Sequence, residues 1–151
     1  MKRRFFCSTL FFITPLLILA CNGPSDPGSN FSSGSVTPPL FAHSVKSLLT
    51  LSVIEPADPK RATALGQYLV WLVQIDRNGE PFPVNAISID GGMPAHGHGL
   101  PTQPRVTAQV SEGRYRVEGL KFTMPGRWIL NFTVSSKLGN DRFSLEIDVG
   151  H

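Results

Sequence analysis

Cysteine is nearly missing: the 151-residue chain has two, Cys7 and Cys21. No apolar run is long enough to span a bilayer either. The longest, Phe5 to Leu19, is interrupted by polar residues and proline and follows Lys2, Arg3 and Arg4, the pattern of a secretory signal that is removed. Cys7 leaves with residues 1–20 and Cys21, at the end of the signal, takes lipid, so no thiol remains for a disulfide, a cysteine zinc site or a catalytic nucleophile. A metal, if bound, must be held by His, Met or carboxylate. Excess charge is missing too. The chain has 14 Lys and Arg against 11 Asp and Glu, and loss of the three basic residues of the signal leaves the two signs equal. Overall charge therefore gives no reason to invoke nucleic acid or an anionic membrane.

The signal ends in "ILAC", Ile18 to Cys21, which resembles a bacterial lipobox with Cys21 as the lipidated new N-terminus; the alternative is an ordinary signal with a chance cysteine. Asn22 is not the aspartate that retains some lipoproteins at the inner membrane, which favours the outer membrane of a bacterial envelope, with the domain facing the periplasm. The stretch "NGPSDPGSNFSSGSVTPPL" then has too few apolar side chains to order itself. It reads as a flexible tether with a span of roughly 25 Å. The organisation expected is a signal over 1–20, lipidated cysteine and tether over 21–44, and one domain over 45–151. His43, just past that Gly/Pro/Ser-rich stretch, reads as solvated.

Helical periodicity is also lacking beyond the tether. Apolar and polar residues alternate between turns such as "DRNGEPFP", "SEG" and "KLGND", which predicts an all-β chain, a seven-stranded immunoglobulin-like antiparallel sandwich. The strands expected are 48–55, 68–76, 84–91, 104–110, 114–122, 126–134 and 142–149. Alternation turns inward Leu49, Leu51 and Val53; Leu69, Trp71, Val73 and Ile75; Ile87 and Ile89; Val106, Ala108 and Val110; Trp128, Leu130, Phe132 and Val134; and Phe143, Leu145, Ile147 and Val149. Tyr115 and Val117 share one parity, Leu120 and Phe122 the other, so a β-bulge is expected at Gly119. Short connections reverse each strand and bring the ends of the first, third, fifth and seventh to one pole. The tether would enter from the opposite pole, leaving the loops pointing away from the membrane.

What the sequence does have is "GGMPAHGHGL", residues 91–100, which concentrates a methionine and two histidines in a chain with three Met and four His. Thioether and imidazole suit copper, with Met selecting Cu(I). If the segment is extended, His96 and His98 face one way, and the "TMPGR" turn offers a second thioether. Met93, His96, His98 and Met124 form the candidate metal set, with His151 a fifth position. By parity both methionines could equally plug the end of the core, and the histidines could serve only a turn. A hydrolase set of Ser88, Asp90 and His96 lacks a nucleophile elbow around the serine, so no enzyme is expected.

Together "MPAHGHGLPTQPRV" and "EGRYRVEGLKFTMPGRWILNFTV" resemble the YtkA-like/FixH-like domain family over roughly residues 48–149. The resemblance implies a small extracytoplasmic β-sandwich associated with copper handling and respiratory oxidase assembly, and hence a periplasmic assembly protein as partner. The chain departs from FixH-type members in its anchor, a lipidated cysteine in place of a transmembrane helix. No nucleic-acid partner is expected, and a monomer is. The alternative is a non-metal module that docks a periplasmic partner through its distal loops, with Arg105, Arg127 and "GLPTQP" available for contact.

Overall fold

The computed structural model describes residues 40–150. Cys21, the signal and the tether up to residue 39 lie outside the described residues, as does His151. The strands are β1 (Phe41–His43), β2 (Thr50–Glu55), β3 (Tyr68–Arg77), β4 (Glu80–Pro81), β5 (Ala86–Met93), β6 (His98–Gly99), β7 (Arg105–Ser111), β8 (Arg114–Lys121), β9 (Gly126–Ser136) and β10 (Gly139–Val149). One sheet runs β1-β2-β3-β8-β7 with β4 on β3, and the other β10-β9-β5-β6. All the ladders between strands are antiparallel and the sheets pack as a sandwich.

The described residues thus form ten strands where seven were expected. The seven long runs are all present, and the additions, β1, β4 and β6, have two or three residues each, too short for alternation to show. A one-turn helix, α1 (Pro59–Ala62), was not expected either. Its Asp58 cap accepts from the Lys60 amide at 3.0 Å and proline opens its first turn, a local start signal too brief to register as periodicity.

The core follows alternation closely on β2, β3, β9 and β10, whose inward residues are buried as expected. Tyr115, Val117, Leu120 and Phe122 are all buried, because the slip expected at Gly119 occurs: Leu69 pairs Leu120, Val70 pairs Glu118, and Gly119 stands unpaired at φ +87°. Strand β7 departs from the pattern. Ala108 and Val110 are exposed, since β7 is an edge strand with register shifts between Val106 and Ala108 and between Gln109 and Ser111. Each shift reverses the parity that alternation assumes. Ile87 and Ile89 are only partly covered.

The tether's approach is also corrected. Strand β1, counted with the tether on composition, pairs antiparallel to β2 and doubles the chain back. Leu40, whose carbonyl accepts from the Val53 amide at 2.8 Å, shares a cleft with Pro56, Pro59 and Ala62. The chain therefore arrives beside the far end of β2, at the pole that carries the loops.

Candidate functional site

Two indoles organise that pole. Trp71 and Trp128 are buried with Phe122 between them, ring centroids 6.4 and 5.3 Å away. Trp71 Nε1 donates to the Ala62 carbonyl at 2.9 Å and so fixes α1. Trp128 Nε1 donates to the Met124 carbonyl at 3.0 Å and so fixes the turn between β8 and β9. Buried indoles need such acceptors, and here each acceptor belongs to a loop that closes the core.

The Met-His segment is the hairpin between β5 and β6. Met93 and His98 are direct cross-strand partners, an arrangement that places their side chains on one face of the ribbon with Cβ atoms about 5 Å apart. Between them Pro94–His96 form a turn of 3-10 helix closed by Gly97 at φ +65°. The segment is therefore not extended, as facing histidines had required. The tight turn still brings the imidazoles of His96 and His98 to a centroid separation of 6.4 Å, within 11° of parallel. Both are exposed.

The hairpin can fold so tightly only because two glycines precede it. A Cβ on Gly91 would overlap the Ile129 carbonyl oxygen of β9, and one on Gly92 the His98 carbonyl oxygen of β6. Neither has positive φ, so space, not backbone conformation, demands glycine here. Their bare backbone also floors an open depression of about 540 Å³ beside His98, walled by Asp90, Asn131 and Ser144.

The thioethers are placed differently from the imidazoles. Met93 is 1 % exposed and belongs to the core; its methyl group lies 3.1 Å from where a Cβ on Gly126 would stand. It thus touches the turn that carries Met124, which is partly buried against the core. The plug role weighed for the methionines is met fully by Met93 and in part by Met124. The structure brings Met93 to His98, His96 to His98, and Met93 to the Met124 turn, but it does not gather all four on one open surface. Among the described residues, no group of three or more His, Asp, Glu or Cys is placed to hold a metal ion.

Ser88 and Asp90 are exposed on the outer sheet face, and Asp90 Oδ1 accepts from the Gly91 amide at 2.7 Å. Arg127 lies 3.6 Å from Glu146 and 3.9 Å from Asp148, exposed pairs that contribute little to stability. Sequence reasoning missed the indole that holds Met124 and the steric role of Gly91-Gly92. The doubled glycine inside a strand pattern was the available signal for the second.

A family model described as YtkA-like matches residues 52–133, a span that includes both Met-Pro turns and both histidines. No curated protein and no solved structure matches the chain.

Proposed function

The chain belongs to the YtkA-like family, and from that premise we propose that it is a lipid-anchored, periplasm-facing protein of the bacterial envelope that binds copper at this hairpin and passes it to, or receives it from, a periplasmic partner of copper handling or oxidase assembly. The observation that carries the reading is the cross-strand pair Met93 and His98 with the His96 ring alongside. With metal–nitrogen bonds of about 2 Å, two imidazoles on one ion have centroids about 6 Å apart, which the observed spacing accommodates. The buried thioether of Met93, cross-strand from His98, favours Cu(I), and Met124 lies on the adjoining turn as a second thioether. Exposed imidazoles with an enclosed thioether suit an ion that is cargo and must leave again.

The test is titration of the mature chain with Cu(I) against a competing chelator. We expect a bound stoichiometry of one, and expect Met93→Leu to weaken Cu(I) at least tenfold while leaving Cu(II) nearly unchanged. Leucine preserves the core volume, so stability should change by less than about 1.5 kcal/mol. Unchanged Cu(I) affinity would reduce Met93 to a plug, and no affinity in the unaltered chain would leave the docking module as the reading. The anchor is tested separately: Cys21→Ser should abolish incorporation of labelled fatty acid and leave the precursor uncleaved, whereas cleavage after Ala20 with release of soluble protein would indicate an ordinary signal.

A further inference from the structure

Overall neutrality conceals an uneven surface at the loop-bearing end of the β3-β8 sheet. Three apolar side chains stand out there: Leu65, 44 % exposed, Tyr68, 70 %, and Val70, 46 %. Leu65 bridges to Phe122 at the end of β8, and Tyr68 pairs with Lys121 across the ladder. The Lys121 ammonium lies 4.9 Å from the Tyr68 ring centre. Val70 pairs with Glu118, which pairs in turn with Arg105 and is ion-paired to Arg116 at 2.6 Å. Lys60 and Arg61 are exposed on α1 at the same end. An open recess of about 610 Å³ beside Tyr68 is lined by Pro101, Gln103, Arg105 and Glu118.

We propose that this end of the sheet is a membrane-contact face for an anionic phospholipid surface. An exposed tyrosine between aliphatic side chains and under an ammonium group is the composition of a water–lipid boundary, where the ring sits at headgroup depth and long cationic side chains reach for phosphates. Lys60, Arg61, Arg105, Arg116 and Lys121 outnumber Glu55, Asp58 and Glu118, so the local sign suits anionic headgroups. The start of the described chain agrees: Leu40 shares a cleft with Pro59 and Ala62 of α1 at this end. Three small apolar contacts are too few for a stable protein interface, which needs about 800 Å² per partner. They suffice for a tethered domain, because an anchor makes the encounter intramolecular. The proposal rests on the anchor reading only for the nearness of a membrane. Its consequence is that the pole carrying the histidine hairpin lies toward the membrane and not away from it.

The test is co-sedimentation of the mature chain, made from Asn22 onward and therefore unlipidated, with phosphatidylglycerol or phosphatidylcholine vesicles in the absence of copper. We expect partition onto phosphatidylglycerol at least tenfold above phosphatidylcholine. Tyr68→Ser with Val70→Ser should lower it about tenfold. Val45→Ser, at a residue 75 % exposed in the turn at the other end, should leave it unchanged. If the double variant fails to fold by circular dichroism, Arg105→Glu with Lys121→Glu takes its place with the same expectation. Equal partition onto both vesicles, no partition, or equal loss in Val45→Ser overturns the proposal. Neither copper nor acylation enters the assay, so its failure leaves the titration and labelling results intact.

Discussion

Replacing His96 and His98 together by alanine is expected to lower copper affinity by about 100-fold or more while leaving the fold untouched. The two halves of this expectation have separate causes. Both imidazoles are exposed and neither belongs to the core, and surface substitutions of that kind change stability by less than about 0.5 kcal/mol. The hairpin itself is set by Gly91, Gly92 and the left-handed Gly97, none of which the substitutions alter. Loss of even an outer-shell partner of a metal ligand costs 10- to 100-fold in affinity, so loss of two ligands should exceed that range. The measurement is the same chelator competition, with thermal unfolding of the metal-free variants as the control. A double variant that still binds Cu(I) within a factor of about three of the parent would move the site off the hairpin. A parent whose melting temperature rises with copper and a variant whose does not would agree with the expected loss, since a ligand of the native state stabilises by mass action.

The fold was more legible than the site, for reasons that particular residues display. Strands β3, β9 and β10 have ten or eleven residues with one buried face each, and period two is a strong signal over that length; Trp71, Trp128 and Phe143 all fall where parity sends them. Gly119 was legible because the parity of Tyr115 and Val117 conflicts with that of Leu120 and Phe122, and a bulge is the cheapest way to bury all four. Val110 was not, because an edge strand with two register shifts keeps the composition of a buried strand after it has lost the geometry. Strand β1 failed for a different reason. Phe41–His43 is too short to alternate, and its pairing with β2 is a tertiary event that nothing local announces. That omission reversed the expected direction of the tether's approach. At the site, the chemistry of Met93, His96, His98 and Met124 was open to inspection in the sequence, but their distribution between surface and core was not. The 3-10 turn at Pro94–His96 decides it, and that turn depends on close approach to β9.

Trp128→Ala is expected to be the most destabilising single substitution at this pole, by about 3–5 kcal/mol. Trp128 is 1 % exposed and packs edge-on against Phe122, so truncation opens a cavity where the two sheets close over the core. At roughly 4–8 °C per kcal/mol for a domain near 100 residues, the melting temperature should fall by at least about 12 °C. The more informative variant is Trp128→Phe. It keeps most of the apolar volume but removes the N–H that holds the Met124 carbonyl at 3.0 Å. The cost should be smaller, about 1–3 kcal/mol, made up of the lost hydrogen bond, an acceptor left without its partner and a modest void. Because that bond is what positions the Met124 turn against Met93, the phenylalanine variant should also bind Cu(I) several-fold more weakly, with Cu(II) affinity less affected. Chemical denaturation of both variants, with Cu(I) competition on the phenylalanine one, separates the two effects. Lost stability with unchanged Cu(I) affinity would confine Trp128 to the core and remove Met124 from the site, leaving a hairpin of one thioether and two imidazoles.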